Sequence, residues 1–318
     1  MNALKTRSLG GVTVATVLPF TSAGDIDWPS FARLLDYCAM PDGIAAVFVN
    51  GHAGESARLT PAERIDVVRF ARRHIGAGKC LVAGLVAEST VDAIRQARDA
   101  KAAGADVLTV FPLTPAPHEA AGEAALAHVQ AIGEAVELPL AVFQYPISSP
   151  ASHSTATLVA MAQLPWVVGI KEGSDSIGVY EDNWRAVKAA DPQVGILASN
   201  FDWFLAQLAT GSDGILSGLA SVVPQQLAAL WSASVANDLD AMRVTSDTLH
   251  ELVRAVYAAP RADMYRRIKC ALHLMGVIDS PVSRGEVSPL DQATVARLYD
   301  ALLRAGLAPA SLLLESTT

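Results

Sequence analysis

Cysteine is scarce. Cys38, Cys80 and Cys270 are the whole supply, an odd number with no Cys-x-x-Cys pair. That argues against a disulfide framework and against a zinc ribbon, and it fits a reducing cytosol. Each thiol reads as a buried, inert side chain. Long apolar runs are missing too. No stretch of 18 or more apolar residues occurs, so no membrane-crossing helix is expected. Met1 to Gly10 lacks the apolar centre of a signal peptide. Nor is there a block of Lys or Arg: the net charge is −8 with both signs mixed, which leaves no footprint for a nucleic acid.

What is present is apolar and alternating. Of 318 residues, 51% are hydrophobic. Short β-branched runs recur at Gly11–Pro19, Ala45–Asn50, Cys80–Leu85, Val107–Phe111, Leu140–Tyr145, Val167–Lys171, Val194–Ala198 and Gly214–Ser217. They are apolar nearly throughout, as parallel strands covered on both faces are. Helical stretches separate them. One starts at Asp27 or Ser30. A second follows Thr60, with Pro61 in its first turn and Glu63 completing a capping box. Another starts at Thr90, with Ala93, Ile94, Ala97 and Ala100 as its inward stripe, and others fit 122–136, 154–163, 179–190, 201–209 and 224–236.

Eight strand–helix pairs without a Gly-rich dinucleotide fingerprint predict a closed (β/α)8 TIM barrel rather than an open doubly wound sheet. A barrel needs about 250 residues. The remainder reads as helices over 239–258, 262–275 and 291–305. We therefore expect a barrel over residues 1–236 and a C-terminal helical extension over 237–318 packed on it.

Barrel chemistry sits at the C-terminal ends of the strands. There Lys171 closes the apolar run Trp166-Val-Val-Gly-Ile170. An apolar setting lowers a lysine's pKa, and a neutral amine can attack a ketone to form an imine. The alternative is a lysine reaching solvent or pairing with Glu172. The segment Asn50-Gly-His-Ala-Gly-Glu55 ends the second strand. It is either a backbone nest for a carboxylate or a plain βα turn with Glu55 bonded to backbone.

Taken together these motifs resemble the dihydrodipicolinate synthase / N-acetylneuraminate lyase family of class I aldolases. The resemblance runs nearly the full length. It rests on Pro19-Phe20, Gly51-x-x-Gly54-Glu55-Ser56, Ala83-Gly84, Ala103-Gly-Ala-Asp106, Val168-Gly-Ile-Lys-Glu172, Gly211-x-x-Gly214-Ile215 with Ser217, and Ile268-Lys269. The Gly-x-x-Gly-Glu and Gly-Ile-Lys motifs carry it jointly. It implies Lys171 as the imine-forming residue, a 2-oxo acid such as pyruvate as substrate, no metal or other cofactor, and a homodimer or homotetramer.

The departures are as informative. The family's two threonines fall on His52 and Ala53, and its proton-shuttling tyrosine falls on Phe143. The tyrosine pair that the synthase branch carries after the fourth strand becomes Leu113 and Thr114, and that branch's carboxylate-binding arginine becomes Ser148. These losses argue against dihydrodipicolinate synthase itself and equally against sialic acid lyase. Two residues offer replacements for the tyrosine. Tyr145 lies on the same side of its strand as Phe143 and about 7 Å further on, and an imidazole at His52 can act as acid and base. Each has a plainer reading, packing for Tyr145 and a loop hydrogen bond for His52. His118 reads as a solvated loop residue. The expected substrate lining is Gly51, Ala53, Gly54, Phe143, Ser217 and Gly218. Leu18, Phe111, Leu113 and Phe143 make the pocket apolar and suggest an aliphatic or aromatic aldehyde partner. The expectation is thus a cytoplasmic lyase. A non-catalytic 2-oxo acid binder and an imine-dependent deaminase or hydrolase are its alternatives.

Overall fold

The computed structural model describes residues 9–113, 121–199, 204–285, 288–307 and 309. Eight strands pair in chain order and the last pairs with the first, closing a parallel barrel. They are β1 (Gly11–Ala15), β2 (Ile44–Val49), β3 (Cys80–Leu85), β4 (Val107–Val110), β5 (Leu140–Phe143), β6 (Val167–Glu172), β7 (Gly195–Ala198) and β8 (Gly214–Ser217). Four strands stop short of the sequence expectation. The first ends at Ala15 rather than Pro19, the second at Val49 rather than Asn50, the fourth at Val110 rather than Phe111 and the fifth at Phe143 rather than Tyr145. Pro19 and Pro146 have no N–H to give to a ladder.

The helices after the strands are α1 (Trp28–Ala39), α2 (Pro61–Ile75), α3 (Thr90–Ala103), α4 (Ala121–Val136), α5 (Thr155–Ala162), α6 (Ile177–Ala190), α7 (Phe204–Gly211) and α8 (Pro224–Val235). Short polar residues cap several of them. Asp27 accepts from Ser30 N–H, Ser89 from Asp92 N–H and Ser154 from Thr157 N–H. The capping box at Thr60 and Glu63 is formed. Each such cap satisfies an N–H that the first turn leaves unpaired.

Alternation of side chains along the strands makes two cores. Leu9, Ala46, Val82, Ala141 and Leu216 fill the barrel interior. Val14, Val47, Leu108, Val142 and Ile215 face the helices. Three further helices follow: α9 (Leu239–Val256), α10 (Met264–Leu274) and α11 (Gln292–Arg304). They bury Leu252, Val256, Ile268, Leu272 and Leu298 in the outer core. Among the described residues, no helix is long and apolar enough to cross a membrane.

Candidate active site

The ends of β2, β4, β5 and β6 converge on one group of side chains. Lys171 pairs in register with Phe143 on the neighbouring strand. Both side chains turn inward, and the Lys171 Nζ sits 4.0 Å from the centroid of the Phe143 ring. Burial lowers the Lys171 pKa to about 8, against the smaller upward pull of Glu172 and Asp175. Glu172 does not pair with it. That carboxylate faces the helix layer, fully buried, and accepts from Asn183 Nδ2 at 3.0 Å and Ser174 Oγ at 3.0 Å. Neighbouring strand residues point to opposite faces, so an ion pair between 171 and 172 is disfavoured. Among the described residues no carboxylate lies within ion-pair distance of Lys171.

His52 and Tyr145 meet across the barrel mouth. The His52 Nε2 lies 2.7 Å from the Tyr145 hydroxyl. The outer edge of His52 is exposed, while its ring stands edge-on to Phe111 at 4.5 Å and to Phe143 at 5.6 Å. Burial against these rings and then the nearby Lys171 charge lower its pKa to about 4. Burial likewise pushes the Tyr145 phenol up to about 12. Tyr145 stands past the end of β5, yet its ring is still 5.1 Å from Phe143. Gln144 holds it there. That side chain is fully buried, donates to the His153 carbonyl at 2.9 Å and accepts from His153 N–H at 2.9 Å.

The turn after β2 is closed by two bonds, Glu55 N–H to the His52 carbonyl at 3.0 Å and Ser56 N–H to the Gly51 carbonyl at 3.3 Å. The N–H groups of His52, Ala53 and Gly54 have no acceptor among the described residues. Ala53 and Gly54 are buried, so their N–H groups suit a ligand carboxylate. Gly218 faces Ala53: a Cβ on Gly218 would come 3.7 Å from the Ala53 Cβ. Ser217 is placed differently from the expectation. It lies on the outward face of β8 with Ile215, and its hydroxyl accepts from Leu219 N–H at 3.1 Å. Leu18 also belongs to the outer core, so it does not make the pocket apolar. Leu113 lines a separate cavity of about 200 Å³ with His153 and Thr157. His118, Thr114 and Asn200 lie outside the described residues.

Two contributors escaped the sequence reading. Phe48 extends the aromatic wall, 6.4 Å from Phe111, which stacks on Phe143 at 4.3 Å. Gly173 must lack a side chain, because a Cβ there would meet the Gln144 carbonyl oxygen at 2.4 Å and the Lys171 Nζ at 2.9 Å. A glycine directly after a strand is a usable signal of close approach.

A family model described as the dihydrodipicolinate synthetase family matches residues 8–305. The chain belongs to the dihydrodipicolinate synthetase family. A 4-hydroxy-tetrahydrodipicolinate synthase of Leptothrix cholodnii is 30% identical over 298 residues, covering 93% of this chain and 98% of the relative. Among solved structures, a monomeric dihydrodipicolinate synthase variant superposes with a TM-score of 0.88 at 26% identity, covering 94% of this chain and 98% of its own. The chloride-inhibited dihydrodipicolinate synthase of Acinetobacter baumannii, complexed with pyruvate, gives 0.84 at 25% identity, with 95% and 100% covered. As a member of this family the chain is an enzyme of the lyase class.

Proposed function

We propose that the protein is a class I lyase or aldolase in which Lys171 forms an imine with pyruvate or a related 2-oxo acid. The observation that carries this is the half-buried lysine at the end of β6, its amine over the Phe143 ring and its pKa lowered to about 8. A useful fraction of that amine is neutral near pH 7.5. Its lone pair attacks the ketone carbon. The carbinolamine then loses its oxygen as water, leaving an iminium. Removal of a proton from the adjacent carbon gives an enamine.

Tyr145 and His52 carry that proton. With the tyrosine hydroxyl donating to Nε2, the phenol oxygen takes the substrate proton while its own proton passes to the imidazole. A free tyrosinate, disfavoured by a pKa near 12, is never formed. The N–H groups of Ala53 and Gly54 hold the substrate carboxylate.

Synthesis of 4-hydroxy-tetrahydrodipicolinate is not the reading we favour. Phe143 has no hydroxyl, and Ser148 is exposed and uncharged where the synthase branch has its carboxylate-binding arginine. The wall of Phe48, Phe111 and Phe143 suits an aldehyde with an aliphatic or aromatic body. We place the enzyme in the cytosol, since its cysteines are free, and as a homodimer or homotetramer. Mass photometry tests the latter.

Borohydride reduction with pyruvate, read by intact mass, tests the chemistry. Wild type is expected to gain one reduced adduct and Lys171→Ala none, with turnover falling by roughly 10⁴-fold or more, the scale of losing a nucleophile. An adduct on Lys171→Ala overturns the assignment. No adduct on wild type with any 2-oxo acid would favour a binding protein.

A further inference from the structure

The turn that carries His52 is pinned from below by groups far away in sequence. Glu55 ends the turn with a left-handed backbone, φ 53°. The residue is 4% exposed, and its carboxylate collects cations and a donor from three places. Lys269 of α10, wholly buried, pairs with Oε1. Arg284 N–H donates to Oε2 at 3.0 Å, and Arg58 stands 3.5 Å from the same oxygen. Lys269 also donates to the Val282 carbonyl at 3.0 Å and lies 4.3 Å from the Phe20 ring centroid.

The residue before Lys269 completes the support. A Cβ on Gly218 would come 3.2 Å from Ile268 Cδ1. One turn of α10 therefore touches Gly218, which faces Ala53, and the carboxylate that ends the His52 turn. At the other end of the turn, Asn50 is left-handed as well, φ 57°, and donates from Nδ2 to the Arg64 carbonyl at 2.9 Å. Both ends of the segment are fixed, and only His52 projects into the mouth.

A buried pair of this kind contributes little net stability, because desolvating two charges offsets their attraction. Its better-attested use is to fix one geometry. We propose that Glu55 and Lys269 are positioning residues: through them the C-terminal helices hold His52 against Tyr145 for proton transfer. The inference rests on the reading of His52 and Tyr145 as the proton carriers. It assigns the C-terminal region a part in the chemistry without any contact to substrate.

The test separates imine formation from proton transfer. Glu55→Gln and Lys269→Met are each given pyruvate. Borohydride trapping measures the imine at Lys171, and proton NMR in D2O measures exchange of the pyruvate methyl protons. At saturating pyruvate, which offsets any loosening of the Ala53 and Gly54 N–H groups, both variants are expected to trap the adduct at close to the wild-type rate. Methyl exchange should fall by about 10²-fold, towards the level of His52→Ala, the scale of a lost acid–base group. Lys269→Arg keeps the charge and is expected to recover much of the exchange. It also serves where Lys269→Met does not fold.

If His52→Ala is slow but both pair variants exchange at the wild-type rate, the positioning role is overturned and the parent reading stands. If His52→Ala itself exchanges normally, the proton-carrier reading falls, and the positioning role with it. Adduct formation and exchange falling together in Glu55→Gln would also overturn the proposal, because that pattern means a general structural defect.

Discussion

Lys171 is held where an ammonium is costly. Its surroundings are the Phe143 ring and the barrel interior, and its nearest carboxylate faces the other way. A neutral amine is needed for attack, so the pH dependence has a definite sign. The neutral fraction grows as pH rises through about 8 and levels off above it. The rate of borohydride-trapped adduct formation at saturating pyruvate is therefore expected to fall about tenfold for each unit below that value. A rising limb centred instead near the ordinary lysine value of about 10.4 would remove the argument from burial. Lys171 was legible as a candidate, because a charge ending an apolar strand is conspicuous, and the family resemblance supplied its proposed role. Its isolation from Glu172 followed from strand alternation. The 2.7 Å contact of His52 with Tyr145 was not legible, since the two come from different strand ends 93 positions apart.

At the scale of elements, the ends of β5 and β6 set the site. β5 stops at Phe143, and Gln144 turns outward into bonds with Ser152 and His153. That leaves Tyr145 free to lean back over Phe143. Across from it, Gly173 lets the chain leave β6 beside the Gln144 carbonyl. Gly173→Ala forces a methyl into that backbone contact. It is expected to cost about 1–3 kcal/mol of stability, the range for overpacking. Turnover should fall well beyond what that destabilisation explains, because Lys171 Nζ is the next atom met. Urea unfolding and adduct formation on the same sample check both parts. Wild-type adduct rates in this variant would show that Lys171 tolerates displacement. The helices were easier to read than the strand ends. Caps such as Thr60 with Glu63 are local chemistry, whereas a strand end depends on where its partner stops.

For the whole molecule, the region after Val235 is tied to the barrel by ion pairs as well as by apolar packing. The Arg284 guanidinium forks onto Glu63 at 2.7 and 2.8 Å and donates to the Gly24 carbonyl at 2.8 Å. We propose that barrel and C-terminal helices form one folding unit. A chain cut after Ala236 leaves Glu55 without Lys269 and the Arg284 N–H and uncovers apolar surface. It is expected to aggregate, and a monomeric, cooperatively unfolding fragment on size exclusion would refute the proposal. Acid sensitivity belongs to this scale too. Burial lowers His128 and His153 to about 4, with a further push between the two at His153. The unfolded chain binds protons at about 6.5, so between pH 6.5 and 4 it takes up more protons than the folded one. Stability is present in full above 6.5 and is lost as pH falls towards 4. A melting temperature that stays flat over that interval would show that these imidazoles are not held neutral.

By itself the sequence determined the barrel, its strand order and the place of a lysine at the inward end of β6. Those follow from a short-range code: near-continuous apolar runs, amphipathic runs between them, caps, and a cation where none is cheap. It also marked His52 and Tyr145 as candidates to compensate for Phe143. Tertiary structure alone decided that the two touch, that Ser217 and Leu18 face outward, and that Glu55 is gripped by Lys269 from 214 positions away. The reason is physical. Closing a barrel brings separate strand ends to one rim, and which side chains meet there depends on where each strand stops and which way its last residue points.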